Sequence, residues 1–397
     1  MSTIRIVKEW LKGHERRGRE ALLRAAVACI PWRPARPAAD ALRGRPLRVL
    51  FVREGPLGDL LVSLGAVRAI AASHRGTRVD VLTTDANVEA LRGVPYVRRA
   101  IAFPRNDRGL VNAYRTIRRL GPYDAVVDGM LVHTHVRTRA IAMMLAARAP
   151  YWVGERGRRT TWIYNLPVDP PGSGRLHLER QLRLAEPFLG AGAAAHARPL
   201  LSVEPAERAW AERVWTARGA AGRRVMVNVS VGNPTRRWPD RRFAELLAHL
   251  RHRDPKARLV VTGLPREATT VRALAEGAGA EARIPTLREL IALVATAELV
   301  ISPDTAVCHL ASAFATPLVS LHVGGTDEWW PYATPGRRVV SAPGAALDTV
   351  PAAAVTGAVD ELLGWEEETP AADVARPTPH ARPALASAPG ARQALDR

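Results

Sequence analysis

The sequence predicts an α/β protein made of two parallel-sheet halves, and three observations predict it. Short runs rich in Val, Leu and Ile alternate with helix-spaced apolar patterns over residues 48–128 and again over 224–321. That alternation of strand and crossover helix builds parallel sheets. Between the two stretches the chain turns Ala-, Gly- and Pro-rich around 190–205, a composition suited to a hinge. The length, 397 residues with 47% hydrophobic, is enough for two domains of ordinary size with real cores.

Residues 1–45 form a basic amphipathic leader. Ile4, Val7, Leu11, Leu22, Leu23, Ala26 and Ile30 fall near helical spacing, beside Lys8, Lys12, Arg16 and Arg17. Such a segment suits a membrane surface, and it equally suits a helix docked on its own domain. It lacks the long apolar stretch of a signal peptide. Pro31, Pro34 and Pro37 link it to the first half, residues 46–190. That half opens with the strand Arg48–Arg53, the glycine-bearing turn Glu54–Asp59 and a helix over Leu60–Ala72 with Leu61, Leu64, Val67 and Ile70 on one side. Further strands fall at Val79–Leu82, Val97–Phe103 and Asp124–Asp128. After the linker 191–205, the second half (206–365) repeats the pattern. Its strands are Arg224–Val229 and Leu259–Thr262, and a helix over Arg241–Arg251 turns Phe243, Leu246, Leu247 and Leu250 inward. Residues 366–397 are a Pro/Ala/Arg tail with the composition of a disordered segment.

The formal charge is +19 and unevenly spread: residues 1–190 hold 33 Lys and Arg against 16 Asp and Glu. The first half therefore suits an anionic partner such as phosphorylated lipid headgroups, an acidic saccharide or nucleic acid. The excess of Arg over Lys also fits a plain compositional bias. Two cysteines exclude a disulfide framework and a cysteine metal cage, and no apolar run reaches the roughly 18–20 residues that span a bilayer. The cytosol is the expected compartment. Neither GxGxxG nor GxxxxGK[ST] occurs, so dinucleotide and P-loop readings lack support. His133 and His135, without nearby carboxylate or thiolate partners, make a poor metal site.

The stretch ELVISPDTAVCHLASAFATPLVSLHVGGTDEWW (298–330) carries the clearest functional signal. A buried strand, Leu299–Ile301, runs through Ser302-Pro303-Asp304-Thr305 into a helix of small residues over 306–315, which Thr316-Pro317 ends. The first turn of that helix opens at the carboxyl edge of a sheet, where its free amides and positive dipole end suit a phosphate. Asp304 could cap those amides or hold a sugar hydroxyl. His309, one turn beyond Thr305, points at the same place or is a satisfied core histidine.

Four blocks in order, RVLFVREGPLGDLLVSLGAVRAI, YDAVVDGMLVHTHVRTRAIAMML, NVSVGNPTRRWPDRRFAELLAHL and ISPDTAVCHLASAFATPLVSLHVGGTDEWWPY, resemble the family 9 glycosyltransferases, the ADP-heptose:lipopolysaccharide heptosyltransferase family. The resemblance covers about Leu47 to Leu363. It implies a GT-B type fold, two Rossmann-like domains facing across a cleft. It also implies inverting, metal-independent transfer from a nucleotide sugar, the family donor being ADP-heptose, with no cofactor besides that co-substrate.

The resemblance makes Asp59, in the Gly58-Asp59 turn, the general base, and Arg236 the clamp on the leaving diphosphate. Arginine stands where the family usually has lysine, and Arg237 could share the role. Asp59 is also the residue type that caps a helix at Leu60. Asp304, Thr305 and the amides of Ala306 and Val307 are expected to grip the donor. His309 orients their loop, Glu267 lies near the ribose, and Gly324, Gly325 and Thr326 close the nucleotide pocket. Gly58 and Arg137 fall on the acceptor side, and Trp329 and Trp330 are packing residues. The expected partners are a nucleotide sugar and an anionic lipid-linked saccharide at the inner face of the membrane, met by a monomer, with no nucleic acid. The rival readings are another two-domain sugar-nucleotide enzyme, such as an epimerase, and a non-catalytic binder of anionic lipid or nucleic acid.

Overall fold

Strands covered on both faces must be apolar along their whole length, and the central strands of this protein are. Val49 to Val52 and Val225 to Val227 are fully buried. In the computed structural model, residues 21–365 are described apart from 26, 104–106, 131–137, 158–161, 173–175, 191–197, 218, 220, 326–329, 332 and 333. The first sheet contains β1 (Arg48–Arg53), β2 (Arg78–Thr83), β3 (Arg99–Ala102), β4 (Ala125–Asp128), β5 (Tyr151–Glu155) and β6 (Leu166–Val168), in the order β3-β2-β1-β4-β5-β6. The second contains β7 (Arg224–Asn228), β8 (Arg258–Thr262), β9 (Glu281–Arg283), β10 (Leu299–Pro303), β11 (Leu318–Gly324) and β12 (Gly336–Pro343). Its order, β12-β11-β10-β7-β8-β9, is the same topology again, and every pairing in both sheets is parallel. Strand order reverses between β1 and β4 and between β7 and β10. Open α/β sheets bind ligands beyond the carboxyl ends of such strands.

Five helices position the site: α1 (Leu57–Ala72), α2 (His177–Arg183), α3 (Pro205–Thr216), α4 (Leu287–Thr296) and α5 (Ala306–Phe314). The helix expected from Leu60 begins three residues earlier, at Leu57, with Pro56 at the N-cap. Proline at φ −59° leads into a helix without strain, and its missing N–H is no loss at a helix start. Asp59 therefore lies inside the first turn and does not cap α1. The sequence reading put one face of this helix inward, yet Leu60 through Val67 are all buried. Such all-round burial marks a helix covered on every side. The apolar cluster containing Phe51, Leu60 and Leu64 continues through Leu293, Val307 and Leu310, so one core joins the two halves.

Of the leader, residues 21–25, 27 and 28 are helical, and Val27 and Ile30 are buried on the first half. Arg24 lies over the Trp162 ring, and Arg33 lies over Trp152 and donates to the Ile163 carbonyl. This portion docks on its own domain. Residues 1–20, with Ile4 to Lys12 of the expected amphipathic pattern, lie outside the described residues, as does the tail 366–397. Among the described residues no helix is long and apolar enough to cross a membrane.

A charged cluster ties the halves together beside the linker. Buried Arg288 of α4 donates through Nε to Glu207 Oε1 of α3 at 2.7 Å, and its Nη2 reaches the Ser202 carbonyl at 2.9 Å. Arg92 of the first half also reaches Glu207, at 2.6 Å. The Arg288 hydrogen bond is the largest cause holding the Glu207 carboxyl down at about 2, against an ordinary 4.5. A depressed carboxyl stabilises the fold above its unfolded pKa and loses that contribution as pH falls through the folded value. Glu207→Gln should therefore cost about 2 kcal/mol near neutral pH. That is below the range for fully buried pairs because Arg92 faces solvent. In urea unfolding the deficit against wild type should shrink steadily from pH 4.5 towards 2. A deficit independent of pH would contradict the assignment.

Candidate active site

At the carboxyl edge of the first sheet, β1 ends in a buried arginine. Arg53 Nη2 sits 3.1 Å from Asp59 Oδ2, its Nε donates to the Asp59 carbonyl at 3.2 Å, and its Nη1 meets the Met130 sulfur at 3.4 Å. The guanidinium so fixes both the backbone and the carboxylate of Asp59, whose side chain remains 26% exposed. Gly55, at φ +147°, makes the turn between them. A Cβ there would stand 3.1 Å from Asp59 Oδ2 and in a backbone region that other residues rarely adopt. Across the switch point, Asp128 at the end of β4 is buried and engaged. Its Oδ1 accepts from the Met130 amide at 2.9 Å and its Oδ2 from the Tyr164 hydroxyl at 2.8 Å. Burial, then the Asp128 charge, pushes the Tyr164 phenol well above its ordinary range.

The second sheet presents its own edge. Asn228, at the end of β7, donates to Ser302 Oγ at 2.9 Å and accepts from Ser230 Oγ at 2.7 Å. Thr305 caps α5, its hydroxyl accepting from the Val307 amide at 3.3 Å. Thr305 supplies the cap, which leaves Asp304 for other work. Asp304 is almost fully buried and its Oδ2 lies 2.9 Å from Arg236 Nη1. Burial raises its carboxyl above the ordinary 3.8, while Arg236 and Arg338 pull it back. Arg237, its neighbour, pairs instead with Asp240, Nη2 standing 2.7 Å from Oδ1 at the surface. Trp238 is fully buried, donates to the Val350 carbonyl at 2.9 Å and meets Phe243 edge-on. It anchors the loop that carries Arg236.

His322 of β11 was absent from the sequence reading. It is fully buried, its Nε2 lies 2.9 Å from Ser320 Oγ, and its Nδ1 faces Asp304 Oδ2 at 3.9 Å. Burial, then the neighbouring Arg338, His309 and Arg236, pushes its pKa down to about 3, so the imidazole is neutral near pH 7. Trp330 packs its ring 5.7 Å from that of His322, consistent with a packing role. Arg53 was also missed as a site residue. The only sequence signal for the pair is a polar residue inside or ending an otherwise apolar strand.

The two edges meet. A Cβ built on Gly58 would stand 3.3 Å from His309 Cδ2 and 3.7 Å from Ala306 Cα, so the first turns of α1 and α5 abut. Two positive helix ends thus open side by side, with Asp59 on one and Asp304 just ahead of the other. Gly58, expected on the acceptor side, stands at this helix–helix contact. His309 is buried against it from the second half. Burial, then His177 of α2, pushes the His309 pKa down to about 4. That places it between the halves, where it is neutral near pH 7.

The remaining expected residues spread more widely. The Glu267 carboxylate is buried and taken up by its own turn, accepting from the Leu264 amide at 2.8 Å and lying 3.4 Å from Arg266 Nε. Gly324 is required by close strand packing, since a Cβ would meet the Ser341 carbonyl at 2.8 Å. Gly325 adopts φ +88° at the end of β11. Thr326, Arg137, His133, His135 and Trp329 lie outside the described residues.

Two Rossmann-like halves whose carboxyl edges converge on one crevice are the GT-B architecture. A sequence profile described as "Glycosyltransferase family 9 (heptosyltransferase)" matches residues 114–346. Among solved structures, a family 9 glycosyl transferase from Veillonella parvula superposes with a TM-score of 0.70 at 16% identity, covering 83% of this chain and 100% of that one. The E. coli ADP-heptose LPS heptosyltransferase II gives 0.63 at 20% identity, covering 81% and 99%. The E. coli heptosyltransferase WaaC with ADP gives 0.63 at 21%, covering 79% and 99%. A search of the curated proteins finds no match. The chain belongs to glycosyltransferase family 9 and is a glycosyltransferase.

Proposed function

We propose that this protein transfers a heptose, with inversion and without a metal, from ADP-heptose to a lipid-linked, lipopolysaccharide-type acceptor. The observation that supports this reading is the meeting of α1 and α5 at Gly58 and Ala306, since Asp59 follows Gly58 on α1 and Asp304, paired with Arg236, lies just ahead of α5. In the reaction the acceptor oxygen forms its bond to the anomeric carbon from the face opposite the diphosphate. The bond from that carbon to the diphosphate oxygen breaks, and its electron pair leaves with the diphosphate. Asp59 takes the hydroxyl proton. Arg236 and the first-turn amides of α5 meet the charge that develops on the leaving group. Asp304, held by Arg236 and faced by His322, receives the sugar hydroxyls. The ADP and heptose assignments are supported by what the two E. coli relatives are named for. The enzyme works as a cytoplasmic monomer at the membrane surface, where such an acceptor is anchored.

The test is thermal stabilisation of the full chain across ADP-, UDP-, GDP- and dTDP-sugars, followed by transfer assays with and without acceptor. Ligand at a hundred times its Kd should stabilise the native state by about 2.7 kcal/mol. ADP-heptose should do so and give glycosylated product only when acceptor is supplied. Stabilisation by another nucleotide sugar alone would overturn the donor assignment, and turnover without acceptor would overturn transfer.

A further inference from the structure

Strand residues alternate between the two faces of a sheet. In the first sheet Val49 and Phe51 face α1, and Leu50 and Val52 face the other way. That second face is covered by residues 21–30 and by the helices Asp107–Leu120 and Thr138–Ala147, which contribute Val27, Ile117 and Met144 to one apolar cluster with Leu50 and Val52. The helix Asp107–Leu120 buries Gly109, Ala113 and Ile117, packs Leu110 and Leu120 partly against the same cluster, and exposes residues 111, 112, 114–116, 118 and 119. On its outer side Arg108, Arg115, Arg118 and Arg119 are exposed and hold no ion pair among the described residues. Between them Val111 is 46% and Tyr114 39% exposed. On residues 21–32 of the same layer Leu22 is 74% and Trp32 39% exposed, beside exposed Arg24. These four account for most of the seven large hydrophobic side chains exposed among the described residues, so the exposure is gathered on one side of the molecule.

We propose that this face docks the enzyme on an anionic lipid bilayer, with the arginines meeting headgroup phosphates while Val111, Tyr114, Leu22 and Trp32 enter the headgroup–acyl boundary. Basic residues alone would suit nucleic acid equally. Aliphatic and aromatic side chains set within the basic stripe are what an interfacial helix presents. The helix Asp107–Leu120 follows β3, so it starts at the same carboxyl edge from which Asp59 projects. Docking through it would hold the crevice near the plane of the membrane. The proposal rests on the reading above, because a lipid-linked acceptor gives such a surface its use.

The experiment is co-sedimentation of the full chain with vesicles of phosphatidylcholine alone and of phosphatidylcholine containing phosphatidylglycerol. Wild type should bind only the anionic vesicles and release with salt. Arg115→Gln/Arg118→Gln/Arg119→Gln should weaken that binding about a hundredfold, since each surface cation contributes about one kcal/mol at such a membrane. Its transfer to a water-soluble acceptor fragment should stay unchanged. Val111→Ser/Tyr114→Ser should weaken vesicle binding at least about tenfold, with circular dichroism confirming the fold of both variants. No binding by wild type, or undiminished binding by the triple variant, overturns the proposal. So does a serine variant that keeps its affinity while duplex DNA displaces the vesicles, which would make the surface a nucleic-acid site. Absence of glycosyl transfer with any acceptor, while vesicle binding behaves as stated, would sink only the proposed reaction.

Discussion

Asp59→Asn is expected to lower the rate of transfer by about 10²–10⁴ while donor binding and fold stay close to wild type. The substitution keeps the shape of the side chain and removes its capacity to take a proton. Asp59 does not cap α1, so the structural loss is limited to a first-turn charge near a helix dipole and one contact with Arg53. The former is worth roughly 0.3–1 kcal/mol. Rate and stability thus separate the two roles of the residue. Measurement of kcat, of donor affinity by calorimetry, and of the melting temperature would decide between them. A variant that loses donor affinity in proportion to its rate, or one that transfers at a tenth of wild-type rate, would remove Asp59 as the base.

Arg236→Gln should reduce kcat by about 10²–10³, the usual loss when a group that stabilises developing negative charge is removed. Arg236→Lys should retain most of the activity, since a point charge still neutralises a diphosphate although it lacks the planar fork. The Arg236–Asp304 geometry adds a second expectation. Arg236 is the nearest cation to the buried Asp304 carboxylate, at 2.9 Å, and one of two that pull its pKa down against burial. In the Gln variant burial is opposed by Arg338 alone, so the Asp304 pKa rises further and its ionised form is reached only at higher pH. The pH profile for donor affinity should shift upward accordingly. A kcat within a few fold of wild type in Arg236→Gln would assign the diphosphate to another cation.

The legible parts of the site were those with a local cause. Thr305 and the helix after it could be read because a small polar residue ahead of an apolar helical run is a cap in any context. The start of α1 was misplaced by three residues because the Leu60–Ile70 periodicity says where a helix is well established and not where it begins. Pro56 moved that boundary. Arg236 and Arg237 looked interchangeable in sequence, whereas the structure pairs the first with Asp304 across the chain and the second with Asp240 three residues on. His309 was read along its own helix towards Thr305, whereas the packing of α1 on α5 surrounds it with Gly58 and His177. Glu267 could be read only by its charge, and the structure adds that its Oε2 accepts from the Leu264 amide of its own turn.

The sequence by itself determined two α/β halves of the same kind and a helix start just after Asp304. Both follow from hydrophobic spacing and turn residues that act over a few positions of chain. Only the tertiary structure decided that Arg53 holds Asp59, that Arg236 and His322 flank Asp304, and that Gly58 lets two helix ends touch. Those choices join residues far apart in the chain, 68 positions for Arg236 and Asp304 and one half to the other for Gly58 and His309. They depend on how two sheets pack around one shared core, which no local periodicity encodes.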